Sequence, residues 1–406
     1  MVGWQQHKAD LTQTQSILSN LVSRQRAWVE IDLTALANNV RKLRHFLTPP
    51  TKLMAVVKAD AYGHGAVMVA KTALKHGADC LAIATLAEGV ELRQAGIAVP
   101  ILILGAINAV EDIKAVAAWQ LEPTICSIEQ AIAFNSTLIA LGTSLKVHLK
   151  LDTGMSRLGT NWQEVTDFVP KVRDLPQLEI ASVYSHFATA DERDRTFMDL
   201  QHQRFRQALE QLNTLGYIPP QIHLANSAAT LSDPSCHYDL VRVGLALYGL
   251  HPAPHLRQAI DLQPVLQVKT KITQIKTIPP GEGISYGRKF VTTKPTKVAV
   301  VGIGYADGIP RNLSNQLQAI VSGKLVPQIG AITMDQLMLN VDRLPELQPG
   351  ETVTLIGQEG NLSISAEDWA NQLDTISWEI LCSFKHRLPR IYNRAKINRI
   401  NRNRFT

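Results

Sequence analysis

The sequence has few cysteines, and none of them are paired at a metal-binding spacing. Its 406 residues include only Cys80, Cys126, Cys236 and Cys382, which lie far apart in the chain. Without a C-x-x-C pair, neither a zinc site nor a disulfide framework is indicated. The N-terminal stretch MVGWQQHKADLTQTQ also lacks the apolar core of a signal peptide. We therefore expect a reduced, cytoplasmic protein.

Long apolar runs are missing as well. No run approaches the roughly 18 residues that cross a bilayer, so we expect no membrane span. The composition, 45% hydrophobic and 19% charged, is typical of a soluble globular enzyme. The chain is long enough for two domains with sizeable cores.

The net charge of +6 comes from one end of the chain. From Lys385 to the C-terminus there are eight lysines or arginines and no acidic residue. Without these eight positive charges the net charge would be −2. The basic residues therefore form a tail rather than a binding face, and we do not expect the protein to bind nucleic acid.

Short apolar runs alternate with helix-like segments between residues 50 and 250. The gaps between the runs carry helical patterns such as AVMVAKTALKHG. Eight such strand–helix units in about 200 residues indicate a (β/α)₈ barrel rather than an open doubly wound sheet. The predicted strands are 53–57, 81–84, 101–104, 121–126, 146–152, 179–185, 221–224 and 240–243.

The sequence pattern changes after about residue 262. Segments such as VLQVKTKITQIKTI and ETVTLIG alternate with a period of two and are separated by proline and glycine. This pattern predicts a second, mostly β domain. We expect three parts: a polar N-terminal extension (1–23), the barrel (24–262), and a β-rich C-terminal domain with the basic tail (263–406).

Polar residues gather at the predicted carboxyl ends of the barrel strands, where active sites of such barrels lie. Lys58, in VVKADAYGHG, follows a buried strand directly, and a charged amine there costs free energy unless it is paired or neutralised. It is either a lysine that reaches solvent or one that does covalent chemistry. NSAAT (226–230) and RVGLALYG (242–249), after strands seven and eight, have the composition of a phosphate site. The polar residues at these ends are Lys58, Asp152, His186, Asn226, Ser227 and Arg242.

Several stretches, taken together, resemble the alanine racemase family in order and spacing. They are AWVEIDLTALANNV, VVKADAYGHG, KLDTGMSRLG, HLANSA, VRVGLALYGL, GISYG, GYADG and TMDQ. The resemblance covers about residues 25–392. It implies a pyridoxal-phosphate-binding barrel with a β domain, a homodimer with shared active sites, and alanine as the small-molecule substrate. The implied activity interconverts L- and D-alanine and supplies D-alanine for peptidoglycan.

The same resemblance implies roles for individual residues. Lys58 carries pyridoxal 5'-phosphate as a Schiff base and acts as the base on one face of the substrate, while Tyr286 of the partner chain serves the other face. Arg157 and the backbone of Met334 bind the substrate carboxylate. Arg242 faces the pyridine nitrogen of the cofactor. The remaining cofactor-binding positions are Tyr62, His186, Asn226, Ser227, Gly244 and Leu245.

Lys150 is a candidate for modification. In strand five it alternates onto the same face as Asp152, in a motif that also contains Arg157. The resemblance aligns Lys150 with a lysine that is carbamylated in some family members, and a carbamate anion would orient Arg157. The alternative is an unmodified lysine paired with Asp152.

The chain departs from the family pattern at two positions. Trp378 stands where the family usually has a phosphate-binding tyrosine, and Ala331 replaces a frequent arginine near Met334. An indole has one N–H donor and no acceptor, so the phosphate contact is expected to change.

Three other functions can be compared with the sequence. A serine-preferring or broad-specificity pyridoxal phosphate racemase would share the fold. A non-enzymatic pyridoxal phosphate carrier would lack the second domain that contains Tyr286. A two-cysteine racemase would need cysteines in motifs that this sequence does not contain.

Overall fold

The computed structural model describes residues 26–393, so the predicted extension (1–23) and most of the basic tail lie outside the described residues. The chain divides into two compact units. One unit is Leu33–Val265. The other joins strand β1 (Ala27–Asp32) to the chain from Leu266 onward.

The first unit contains a nearly closed barrel of eight parallel strands, as the sequence predicted. Hydrogen bonds connect the strands in the order β10-β2-β3-β4-β5-β6-β8-β9, and the short β7 pairs only with β6. The apolar runs form strands because both faces are covered, which is typical of parallel sheets. The strands are β2 (Lys52–Val56), β3 (Cys80–Ile83), β4 (Ile101–Ala106), β5 (Glu122–Ile125), β6 (Leu145–Asp152), β7 (Thr160–Asn161), β8 (Leu178–Tyr184), β9 (Ile222–His223) and β10 (Leu240–Val243).

Two backbone hydrogen bonds join the first and last strands of this order. The N–H of Asp239 donates to Ile222 O at 3.1 Å, and the N–H of Arg242 donates to Ala225 O at 3.0 Å. These bonds bring β10 beside the segment that follows β9. Arg242 therefore lies next to the loops after strands seven and eight.

Helices connect the barrel strands and begin with side-chain caps at several positions. Thr85 and Glu88 form a capping box at α3, and Ser127 accepts the N–H of Gln130 at the start of α5. None of the helices in residues 26–393 is both long and apolar enough to cross a membrane. The helices of the first unit are α1 (Leu33–Phe46), α2 (Ala66–Lys75), α3 (Leu86–Gln94), α4 (Val110–Ala118), α5 (Ile128–Leu141), α6 (Val165–Arg173), α7 (Thr196–Thr214) and α8 (Ser227–Ser232).

The second unit is mostly β, as the period-two pattern predicted. The long strand β11 pairs antiparallel with β1, β14 and β18, so it is the centre of the sheet. Its strands are β11 (Leu266–Ile278), β12 (Gly283–Ile284), β13 (Phe290–Val291), β14 (Thr296–Val301), β15 (Gln318–Val321), β16 (Lys324–Pro327), β17 (Leu337–Asn340), β18 (Thr352–Glu359), β19 (Leu362–Ile364) and β20 (Arg390–Asn393). Two helices follow β19: α9 (Ala366–Gln372) and α10 (Ser377–Ser383).

Strand β1 differs from the sequence-based assignment. The expected barrel domain began at residue 24 and so included β1, but β1 pairs with β11 and β20 of the second unit. The reason is its register: Val29 lies opposite Val268, and both are fully buried in that sheet. The other domain boundaries stay predictions.

Gly249 is needed for both its backbone conformation and its lack of a side chain. Its φ is +83°, and a Cβ there would lie 1.8 Å from Gln263 O. Gly96 has nearly the same φ, +82°, but open space around it. We expect Gly96→Ala to lower the free energy of unfolding by about 1 kcal/mol. Gly249→Ala should lower it by about 3 kcal/mol or more, because overlap is added to the backbone cost.

Urea unfolding of both variants and the wild type measures this difference. The matched φ of the two glycines isolates the effect of the missing space. Equal losses in the two variants would contradict the prediction.

Candidate active site

A turn of unusual backbone conformation follows Lys58 at the carboxyl end of β2. Residues 59–62 all adopt left-handed angles, with φ of 52–53° and ψ of 45–52°. For residues other than glycine this conformation costs about 1–2 kcal/mol each. Contacts from the surrounding barrel must therefore stabilise the segment that carries Lys58.

Two carboxylates fasten this turn to neighbouring helices. Glu88, which also caps α3 by accepting the N–H of Thr85, accepts the N–H of Ala59 at 2.7 Å. Asp60 accepts the N–H of Ala66, at the start of α2, at 2.8 Å. The backbone next to Lys58 is thus held from both sides at the mouth of the barrel.

Tyr62, Ser227 and Gly244 form a small cradle beside this turn. A Cβ on Gly244 would lie 2.5 Å from Tyr62 Oη, so only glycine lets the two segments approach. The hydroxyl of Ser227 accepts the N–H of Gly244 at 3.0 Å and keeps its own proton to donate. Leu245 begins a short 3₁₀ turn, so its N–H has no acceptor in a preceding turn. Hydroxyl and backbone N–H donors of this kind suit a phosphate group.

Asn226 supports the cradle from the helix that follows. Its side-chain oxygen accepts the N–H of Ala229 at 3.0 Å and so caps α8. This cap fixes the backbone that carries Ser227. Asn226 acts here on the helix terminus, and the sequence had placed it in the pocket lining.

Arg242, the third residue of β10, is a buried guanidinium that has only uncharged acceptors. It is 3% exposed, and within residues 26–393 no carboxylate forms an ion pair with it. Burial lowers the pKa of Arg242 to about 10, so the group is still a cation at neutral pH. Its acceptors are Ser185 O (2.8 Å), His223 Nδ1 (2.9 Å), Leu224 O (3.0 Å) and His186 Nδ1 (3.1 Å).

His186 is held as a neutral ring. Burial lowers the pKa of His186 well below its usual range, and the nearby cations, first Arg242 and then Lys150, lower it further. Since Arg242 donates to its Nδ1, the ring proton must be on Nε2. His186 therefore presents an N–H donor on its other side.

Lys150 lies inside the barrel near another cation. It is 5% exposed, and burial followed by the charge of Arg242 lowers the pKa of Lys150 to about 8. The Nζ of Lys150 lies 5.7 Å from the centroid of the Tyr184 ring, and the Cζ of Arg242 lies 5.2 Å from it. The electron-rich ring face thus offsets part of the repulsion between the two cations.

The alternative to a modified Lys150, an ion pair with Asp152, is not present in the described part of the chain. Asp152 instead accepts the N–H groups of Gly154 and Ser156, at 2.9 and 3.1 Å, and so shapes the loop after β6. Arg157, in that loop, is exposed. The charge of Arg157 lowers the pKa of Lys150, but it does so less than the charge of Arg242 does.

The remaining predicted site residues lie in the second unit. Tyr286 is 72% exposed and follows Ser285, whose hydroxyl donates to Ala331 O at 2.7 Å. Met334 is 53% exposed, and its carbonyl accepts the N–H of Ala306. The hydroxyl of Ser285 thus connects the turn that carries Tyr286 to the segment that leads to Met334. Trp378, one of the two departures, is half-buried on α10.

Sequence reasoning missed a group of polar residues inside the barrel. Tyr184 stacks on His223 with ring centroids 4.6 Å apart, and its hydroxyl bonds to Thr124 at 2.7 Å. Ser182 bonds to His223 at 2.8 Å. The sequence feature that could have indicated this group is the presence of polar residues within short apolar strands, in SVYS (182–185) and QIHL (221–224).

Comparison with known proteins identifies the family of this chain. Residues 31–252 match the family described as alanine racemase, N-terminal domain, and residues 265–392 match alanine racemase, C-terminal domain. The chain belongs to the alanine racemase family. The alanine racemase of a Nostoc species is 61% identical over 369 residues, covering 90% of this chain and 96% of that protein. That of a Synechocystis species is also 61% identical, covering 91% and 99%.

Solved structures of alanine racemases have the same fold. The Bacillus anthracis enzyme with bound L-Ala-P is 39% identical, with a TM-score of 0.86 over 91% of this chain and 95% of that one. The Clostridium difficile enzyme is 35% identical, with a TM-score of 0.87 over 91% and 96%. The architecture of both units is thus that of the alanine racemase family.

The lowered pKa of Lys150 predicts a pH-dependent stability. Below pH 8 the amine is charged in both the folded and the unfolded chain. Burying the charged amine then lowers the free energy of unfolding by the full amount that corresponds to the difference between the unfolded pKa, 10.5, and the folded pKa, about 8. This cost, about 3 kcal/mol, falls away as the pH rises towards 10.5. Lys150→Met removes the amine and therefore avoids this cost. The variant should be more stable than the wild type below pH 8, and this difference should shrink by about 3 kcal/mol as the pH rises to 10.5.

Urea unfolding in carbonate-free buffer, repeated across the pH range, measures this change. Lys146→Met is the matched control, because Lys146 is on the same strand and its side chain is 55% exposed. The control should show no comparable change. A Lys150→Met advantage that stays constant with pH would count against the prediction.

Proposed function

We propose that this chain is a pyridoxal-phosphate-dependent racemase that interconverts L-alanine and D-alanine by a two-base mechanism. The observation that carries the proposal is the buried, uncompensated cation of Arg242 at a barrel mouth that also contains Lys58 and a phosphate-type cradle. The names of the relatives agree with this activity. Supplying D-alanine for peptidoglycan is the expected role, and a cytoplasmic location stays a prediction.

The residues of the barrel mouth fit pyridoxal phosphate. Lys58 would hold it covalently, and Tyr62, Ser227 and the backbone N–H of Leu245 would hold its phosphate. The N–H of Gly244 would join them by turning from Ser227 Oγ to a phosphate oxygen. The Nε–H of Arg242 has no acceptor among the described residues, so it is available to the ring nitrogen. A permanent cation at that position disfavours protonation of the ring nitrogen, because two positive charges would adjoin.

The chemistry then needs two proton-transferring groups. When bound, pyridoxal phosphate withdraws electron density from the Cα–H bond of the amino acid and makes that proton acidic. The side chain of Lys58 would take or return this proton on one face of the amino acid. Tyr286 does the same on the opposite face, because a single group cannot easily serve both.

Tyr286 needs help to act as a base near neutral pH, because the unperturbed pKa of a tyrosine is about 10. The Nε2–H of His186, fixed by Arg242 on the other side of the ring, is the donor we assign to this role. Arg157 and the backbone of Met334 bind the substrate carboxylate and hold alanine in one orientation. Correct orientation fixes which face each base meets.

Lys150 is proposed to be carbamylated. Because its pKa is lowered to about 8, a substantial neutral fraction exists at mildly alkaline pH. The neutral Nζ adds to the carbon of CO₂, and loss of one proton leaves a carbamate anion. This converts the repulsion between Lys150 and the cations Arg242 and Arg157 into an attraction.

The active form is proposed to be a homodimer in which each site takes Lys58 from one chain and Tyr286 from its partner. The exposure of Tyr286, at 72%, and Met334, at 53%, supports this arrangement, since these residues then meet a second copy of the chain. Alanine is the proposed small-molecule substrate. Assays with serine and other amino acids distinguish alanine racemase from a serine-preferring or broad-specificity relative.

The two-base assignment predicts a stereochemical asymmetry. The wild type should racemise alanine, and Lys58→Ala should abolish this activity. Tyr286→Phe should slow loss of the α-proton from L-alanine by about 10²–10⁴-fold, and from D-alanine far less, because Lys58 still serves the second enantiomer. Exchange of the α-proton for deuterium, followed by NMR for each enantiomer separately, measures both rates.

Tyr217→Phe is the matched control, since Tyr217 precedes β9 and so lies at the end of the barrel strands opposite to Lys58. It should leave both exchange rates unchanged. Equal loss from both enantiomers in Tyr286→Phe would refute the assignment, and a wild type inactive on alanine would refute the proposed function.

Shared sites predict complementation between two inactive variants. Mixing Lys58→Ala with Tyr286→Phe under conditions of subunit exchange should restore about a quarter of wild-type activity. Half of the dimers are then mixed, and each mixed dimer has one site with both bases. Mixing Lys58→Ala with the double variant is the control and should restore nothing. No recovery despite exchange shown by mass spectrometry would argue against shared sites.

A further inference from the structure

A continuous line of buried polar side chains runs through the barrel interior and ends at Arg242. It begins at Glu122, the first residue of β5, whose side chain is 16% exposed. Each link is within hydrogen-bond distance. The links are Glu122 Oε2 to His148 Nε2 (2.8 Å), His148 Nδ1 to Ser182 Oγ (2.6 Å), Ser182 Oγ to His223 Nε2 (2.8 Å) and His223 Nδ1 to Arg242 Nη1 (2.9 Å).

Arg242 at one end can only donate, and the carboxylate of Glu122 at the other end can only accept. These two constraints fix which group donates in every hydrogen bond of the line. A guanidinium can only donate, so the Nδ1 of His223 must accept. A neutral His223 then carries its proton on Nε2 and donates it to the hydroxyl of Ser182. Burial, followed by the charge of Arg242, lowers the pKa of His223 well below its usual range, which agrees with a neutral ring.

The second half of the line follows in the same way. Having accepted from His223, the hydroxyl of Ser182 donates its own proton to the Nδ1 of His148. The proton of His148 is then on Nε2, where the carboxylate of Glu122 accepts it. If His148 were doubly protonated, the Ser182 proton would have no acceptor in the described part of the chain. A buried donor without an acceptor costs free energy.

We propose that Glu122, His148, Ser182 and His223 are positioning residues that hold the Arg242 guanidinium through a hydrogen-bond relay with one fixed direction. The proposal rests on the proposed function, because it assigns Arg242 to the ring nitrogen of the cofactor. We assign these four residues no contact with substrate or cofactor. They act only through Arg242.

The relay meets the hydrogen-bonding needs of Arg242 without neutralising its charge. A carboxylate placed directly on a buried guanidinium would cancel the positive field that the cofactor ring nitrogen is to meet. Here three uncharged groups separate Glu122 from Arg242, and each passes on a hydrogen bond but no net charge. The guanidinium stays both fixed in place and uncompensated.

Ser182 is the link to test, because a matched pair of variants differs there only in the hydroxyl. Ser182→Thr keeps the donor and acceptor, whereas Ser182→Val has nearly the same shape without them. Outer-shell hydrogen-bond partners typically contribute about 10- to 100-fold to a site. We expect Ser182→Val to lower kcat for alanine at least about tenfold relative to Ser182→Thr. KM should change by no more than about twofold, because the substrate carboxylate is bound by other residues.

Cofactor affinity is the second readout, and it does not depend on turnover. The dissociation constant of pyridoxal phosphate should rise about tenfold in Ser182→Val relative to Ser182→Thr. Thermal unfolding of both variants controls for a general loss of structure. Equal kcat values and equal cofactor affinities in the two variants would overturn the proposal.

The ring protons of the wild-type holoenzyme give a test that needs no variant to fold well. Nitrogen-15 NMR of labelled histidines should find His148 and His223 neutral, with their protons on Nε2. His148→Gln and His223→Gln spectra assign the two signals. A proton on Nδ1, or a doubly protonated ring, at either residue would overturn the relay. This result is independent of racemase activity, so failure of the relay is distinguishable from failure of the proposed function.

Discussion

The arrangement of the barrel interior depends on one buried charge, the guanidinium of Arg242. Strand β9 and the segments that follow β8 and β9 supply acceptors that are all uncharged, two backbone carbonyls and two neutral histidines. This choice fixes the tautomers of both rings, since Arg242 can only donate. It also places Tyr184 below two cations, where the ring face offsets charge without forming an ion pair. A carboxylate in place of any one of these acceptors would neutralise the guanidinium. Uncharged acceptors at the other positions would then no longer preserve its charge.

Much of the fold follows from features that are local in the sequence. Short apolar runs bounded by glycine and proline gave strands close to those observed, as in β10, where prediction and structure agree over residues 240–243. The predicted barrel domain (24–262) included strand β1. Its actual partner, β11, lies more than 230 residues away, and only the packing of the second unit reveals that pairing.

The candidate site was predictable for residues whose place at the end of a strand already indicates a functional role. Lys58 and Ser227 lie in motifs whose glycines and small residues mark close backbone approach. The interior network was not predictable, because Ser182, His148 and His223 become neighbours only when separate strands align side by side. The alternative for Lys150, a pairing with Asp152, is absent from the described residues for a related reason: the N–H groups of Gly154 and Ser156 in the loop after β6 bind that carboxylate.

The left-handed turn after Lys58 has a consequence for the order of folding. Four residues in that conformation together cost roughly 4–8 kcal/mol, which is comparable to the whole stability of a typical domain. Such a segment cannot nucleate folding. In the folded protein Glu88 of α3 accepts the N–H of Ala59, and Asp60 accepts the N–H of Ala66 at the start of α2. The position of the Lys58 amine therefore depends on the packing of α2 and α3 and not on the local sequence alone.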